Sequence, residues 1–139
     1  MWLLAAILVL LMMLSCTKKK KNYIESKPCI DFETSLEKET ALGIETISGP
    51  EKGKVNQTVT FKITAMARNS CVACVYTKAI LENTTLWLSA NVYYLPEICL
   101  EALTPIEGEF SFTPTQAGTY WLKAESYEGE TIMHRLIVE

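Results

Sequence analysis

Five stretches of the chain alternate apolar and polar residues with a period of two, and this alternation constrains the fold more than any other feature. In VTFKITAMA, Val59, Phe61, Ile63 and Ala65 share one face while Thr60, Lys62 and Thr64 share the other. TLWLSANVYYL repeats the pattern with Leu86, Leu88, Ala90, Val92 and Tyr94, and EFSFTP with Phe110 and Phe112. GTYWLKAES contributes Tyr120, Leu122 and Ala124, and ETIMHRLIVE contributes Ile132, His134, Leu136 and Val138. Successive side chains of a strand point to opposite faces, so each stretch reads as a strand with one buried and one solvated side. Turn residues separate them at GPEKGKVNQ, ENTT, LTPIEG, PTQAG and YEGE. Short strands at this spacing, without a strong helix, predict an all-β chain folded as an antiparallel β-sandwich. One exception is TSLEKETALG, where Thr34 and Glu37 have the spacing of a capping box and Gly43 that of a helix stop, enough for a single helical turn.

The first residues do not belong to that pattern. Trp2 to Leu14 are 13 consecutive apolar residues, which as a helix cover roughly 20 Å against the ~30 Å of a bilayer core. That length suits the core of a signal peptide rather than a membrane span. Four lysines, Lys18 to Lys21, follow the run, and positive charge on that side also suits a reverse signal anchor that would keep the domain in the cytoplasm. The short run and the four cysteines beyond Cys16 favour export to an oxidising compartment instead. Of the 139 residues, 124 remain after the first 15, enough for one self-sufficient core. Formal net charge is −3, of which the four lysines supply +4, leaving −7 for the rest. An acidic domain without a basic cluster does not suit nucleic acid.

At the seam stand Met13, Leu14, Ser15 and Cys16. This stretch resembles the lipobox of bacterial lipoproteins, in which an apolar run ends in Leu, two small residues and Cys. The resemblance implies cleavage just before Cys16, a thioether link from its sulfur to diacylglycerol, and acylation of the freed amine. Cysteine is needed because its thiolate is a strong nucleophile, and two or three acyl chains hold a protein stably where one is marginal. The alternative, a plain secretory signal cleaved nearby with Cys16 incidental, is the lesser reading. Thr17 rather than Asp after the cysteine implies, by the same resemblance, an outer-membrane lipoprotein facing the periplasm. The expected organisation is a signal peptide over 1–15, a lipidated and Lys-rich tether over 16–28, and a domain over 29–139.

FSFTPTQAGTYWLKAES resembles the corner between strands E and F of immunoglobulin-like domains, where a strand ends in Pro, turns through Gly and restarts with a Tyr whose hydroxyl bonds back to the backbone. Tyr120 is the corner residue by this resemblance. Leu122 stands where antibody domains carry a cysteine, so their inter-sheet disulfide does not transfer. Together with SGPEKGKVNQTVTFKITA and NSC, the pattern over about 46–139 resembles small immunoglobulin-like lipoproteins of Gram-negative bacteria.

With Cys16 set aside for lipid, Cys29, Cys71, Cys74 and Cys99 form an even set with three possible connectivities. Cys71 and Cys74 point to opposite faces of a straight strand, which favours a different partner for each. The family pattern suggests Cys71 with Cys99, and with it Cys29 is expected to bond Cys74. CVAC also has the C-x-x-C form of a thiol-disulfide oxidoreductase, but Val72, Val75, Tyr76 and Thr77 favour strand over the helix N-terminus that lowers a redox thiol's pKa. A four-cysteine zinc site lacks a second close pair, so no metal or cofactor is expected. His134 is the sole histidine, on an alternating strand, and reads as a packing residue. Glu37/Glu39, Glu107/Glu109 and Glu128/Glu130 read as solvated faces, and Asn56 and Asn83, though in sequons, as turn residues.

Trp87, Tyr93 and Trp121 fall on the outward phase of their strands, where exposed aromatics mark a binding patch. The chain is therefore expected to be a non-catalytic binding or scaffolding module of the bacterial envelope, held to membrane lipid through Cys16 and meeting an envelope protein or glycan. The alternative is an oxidoreductase using Cys71 and Cys74.

Overall fold

Wherever the described chain alternates, it forms a strand. The computed structural model describes residues 22–25, 40–95 and 98–139, and in them ten strands and no helix. They are β1 (Asn22–Glu25), β2 (Thr40–Leu42), β3 (Ile44–Ser48), β4 (Lys52–Gly53), β5 (Val59–Ala67), β6 (Val72–Glu82), β7 (Thr85–Tyr94), β8 (Thr104–Phe112), β9 (Gly118–Glu125) and β10 (Thr131–Val138). The larger sheet runs β1-β6-β7-β9-β10-β4, with β2 added beside β7; the smaller runs β3-β5-β8.

The two sheets face each other across the residues that the alternation assigns to the interior. Phe61, Ile63 and Ala65 of β5 and Phe110 of β8 meet Leu86 and Ala90 of β7, Leu122 and Ala124 of β9 and Leu136 of β10, all essentially without solvent contact. Each buried aliphatic or aromatic side chain contributes about 1.5–3 kcal/mol through apolar surface withdrawn from water. The class is thus an all-β sandwich of two facing sheets. The corner tyrosine is present: the Tyr120 hydroxyl donates to the Gln116 carbonyl at 3.0 Å, and its ring tilts against Phe112 with centroids 5.3 Å apart.

The pairing is mixed rather than wholly antiparallel, because β7 runs parallel to β9 and β10 parallel to β4. After β7 the chain crosses to the smaller sheet as β8 and returns as β9. Two reversals restore the original direction, so β9 lies parallel to β7. Side-chain alternation carries no record of strand direction.

Three local expectations change. Asn22–Glu25, inside the stretch expected to be a tether, forms β1 against Leu81–Lys78 of β6. Its short run shows no alternation, and pairing with an existing edge supplies what its own sequence does not. Gly43 does not stop a helix but lies between β2 and β3, where the chain passes from one sheet to the other. A Cβ there would lie 2.5 Å from the Ser126 carbonyl carbon and 2.6 Å from the Tyr127 Cα, so only glycine admits this crossing. The Thr34–Glu37 capping box lies outside the described residues. Finally, β6 is not straight at its start: the register shifts between Val72 and Cys74, where Val72 faces Tyr94 and Cys74 faces Tyr93.

His134 is a packing residue. Its ring meets Phe61 edge-on at 5.4 Å and its Nε2–H donates to the Pro50 carbonyl at 3.1 Å. Asn56 and Asn83 occupy left-handed turn conformations, with φ of 61° and 56°.

Candidate functional site

The larger sheet has its inner face in the core and its outer face in solvent, and the outer face carries the exposed aromatics. Because Leu86, Leu88 and Leu122 point inward, Trp87 and Trp121 point outward. Register places them side by side: Trp87 stands opposite Lys123, and Trp121, two residues before Lys123, stands opposite Thr85. A continuous row crosses five strands, from Tyr23 to Ile80, Trp87, Lys123 and Met133. The next row places Arg135 against Trp121.

Tyr23 is 61% exposed, Met133 57%, Trp87 43% and Trp121 38%, so four large apolar side chains stand exposed on one face of the sheet. The Lys123 ammonium lies 5.5 Å from the Trp87 ring centroid, in cation–π range. The Trp121 backbone N–H donates to the Thr84 carbonyl at 2.9 Å, which fixes the start of β9 to the β6–β7 turn.

Tyr93 stands apart. It lies six residues beyond Trp87 on β7, about 20 Å away along the strand, half-buried and stacked on Tyr76 at 6.0 Å. The expected trio is therefore a tryptophan pair extended by Tyr23 and Met133. Met133 was legible as the outward phase of ETIMHRLIVE, whereas Tyr23 was hidden in a segment without a strand signal.

Beside Trp87 the sheet parts. β7 pairs with β9 through Thr85–Trp87 and with β2 through Ala90–Val92, and a cleft of about 460 Å³ opens between. Ser89, Glu125, Ser126, Thr131 and the Ala41–Gly43 segment line it, so aromatic, hydroxyl and carboxylate groups meet within one opening of ligand-site size. Tyr127 N–H donates to a Glu45 carboxylate oxygen at 2.7 Å and holds the crossing segment beside this cleft.

The cysteines lie at the other end of β6. Cys71 is bonded to Cys99, with Cα atoms 5.9 Å apart, within the usual disulfide range. Cys74 is also disulfide-bonded. Since Cys71 and Cys99 hold each other, the two cysteines of CVAC are not joined, and Cys74 has its partner outside the described residues. Cys29 and Cys16 both lie outside them. Glu107 and Glu109 are exposed on β8, opposite Thr64 and Lys62, and Glu128 and Glu130 are exposed near the last turn.

No protein-family model matches the chain, and no curated protein matches it. Among solved structures, the solution NMR structure of a CARDB domain from Pyrococcus furiosus is similar at 22% identity and a TM-score of 0.43, covering 70% of this chain and 93% of that one.

Proposed function

We propose that this chain is a lipid-anchored, non-catalytic binding module of the bacterial cell envelope, attached through Cys16 to the outer membrane on its periplasmic side. The observation that carries the recognition role is the outer face of the larger sheet, where Trp87 and Trp121 stand adjacent and exposed on a scaffold whose opposite face is the core. A rigid sheet presents such side chains at little entropic cost on binding. The anchor rests on the Met13–Cys16 lipobox and the lysines after it.

The C-x-x-C pair does not favour thiol-disulfide exchange. An oxidoreductase cycles a disulfide between its two motif cysteines, whereas Cys71 is bonded to Cys99. Cys29 is our assignment for the partner of Cys74, a link that would pin the N-terminal segment to the sandwich.

Intact mass of the protein purified from bacterial membranes tests the anchor. Loss of residues 1–15 with a gain of acyl mass is expected, and Cys16→Ser abolishes both; a wild-type chain with an unprocessed N-terminus refutes it. For recognition, in a chain whose residues 1–16 are replaced by a plain cleavable secretory signal so that no anchor remains, the Trp87→Ala, Trp121→Ala double variant is expected to lose envelope retention while keeping its thermal stability. Unchanged retention refutes a role for this face.

A further inference from the structure

Where the chain enters the domain decides what the aromatic face can reach. Asn22 pairs with Leu81, two residues from the turn residue Asn83, so the N-terminal segment joins the sheet at the end where Trp121 bonds Thr84. Cys16 precedes Asn22 by six residues, a span of at most ~20 Å fully extended. The next residue, Tyr23, already belongs to the exposed row and is two strand spacings, about 10 Å, from Trp87. The Cys71–Cys99 end of the sheet lies ten residues from Leu81 along β6, about 33 Å away. A surface that holds Cys16 is therefore within reach of the tryptophan end and beyond easy reach of the disulfide end.

The chemistry of the reachable face suits such a surface. Trp and Tyr combine an apolar body with a polar tip and concentrate where hydrocarbon meets headgroups. Lys123 and Arg135 flank them with long apolar stems and cationic ends. Glu82 and Glu125 share the face, but the cations stand next to the tryptophans in a domain that is otherwise acidic, and Lys18 to Lys21 immediately precede Asn22 in the sequence. Each lysine near an anionic leaflet adds attraction that falls off within a Debye length.

We propose that the outer face around Trp87 and Trp121 docks on the anionic lipid surface that holds Cys16, bringing the Thr84 end of the larger sheet against the membrane. This rests on the lipid-anchor reading and gives that face its partner. The docked domain turns its Cys71–Cys99 end, with the exposed Ile98 and Leu100, away from the anchor.

The test uses the full chain, expressed in bacteria with Trp2→Phe so that Trp87 and Trp121 are the only tryptophans, and reconstituted into phosphatidylglycerol-containing vesicles carrying bromine on their acyl chains. Docking predicts that tryptophan emission falls by about half relative to unbrominated vesicles, because indole at the interface contacts the acyl region. Met133→Glu, at an exposed position that leaves the core intact, is expected to reduce this quenching about threefold. Intact mass of the same preparation reads the anchor separately. Quenching with an unmodified Cys16 would retain the docking and discard the lipid link. Unquenched tryptophans beside a lipidated Cys16 would overturn the docking, as would emission that responds to added peptidoglycan fragments or envelope protein but not to brominated lipid.

Discussion

Replacing Cys71 and Cys99 together by serine measures what the disulfide between them contributes. The two residues are 28 apart in sequence, and closing a loop of that length lowers the entropy of the unfolded chain by an amount equivalent to about 3.5 kcal/mol at 25 °C. Native-state losses are small by comparison. Both cysteines are only half-buried, the Cys71 N–H donates to the Asn69 side-chain oxygen at 3.0 Å, and the Cys71 carbonyl accepts from Leu95 N–H at 2.9 Å, whichever side chain residue 71 bears. The double variant should therefore remain folded and lose about 3.5 kcal/mol in urea unfolding followed by Trp87 and Trp121 fluorescence. With a slope of about 2 kcal/mol/M, the midpoint falls by somewhat under 2 M, and the slope itself rises because the unlinked unfolded chain is more expanded. A loss below about 1 kcal/mol would refute the loop-entropy reasoning. A free thiol in the double variant would refute the pairing, since Cys74 bonds elsewhere.

Tyr120→Phe is expected to cost about 1 kcal/mol in the same assay, because the Gln116 carbonyl loses its donor but can turn to water; no measurable loss, beside a large one for Tyr120→Ala, would place the corner's value in the ring instead. Leu122→Ala empties a fully buried position at the centre of the sandwich and should cost about 2–5 kcal/mol. Gly43→Ala forces a methyl into the backbone of Ser126 and Tyr127 and should cost about 1–3 kcal/mol or more, with calorimetry showing a drop of several degrees. Thiol titration of the native protein should find Cys71, Cys74 and Cys99 unreactive until reductant is added.

The interior was legible because burial on a strand follows a period of two that any residue string displays. Every position from Val59 to Ala65 assigned inward is inside, as are Leu86 to Tyr94 on the same phase. Tyr120 was legible for a different reason, since a corner is a local motif with its hydrogen-bond partner four residues away. What escaped depends on partners distant in sequence. The direction of β9 against β7 is set by the detour through β8, and β1 exists only because β6 offers an edge. The tryptophan pair was visible as two outward phases. That they stand next to each other, with Tyr93 remote from both, follows from strand register, which no single stretch encodes.

The parallel contact between β10 and β4 has a consequence for the timing of folding. Ile137 and Val138, at the end of β10, bond alongside Lys52 and Gly53, and Val138 is buried in the core. The larger sheet thus stays unfinished on that edge until residues as distant in sequence as Lys52 and Ile137 have met, and pairings so far apart in sequence form slowly. If the chain is exported in extended form, as the proposed anchor requires, this order of events is an advantage. The earlier strands cannot close prematurely around a core that still lacks β10.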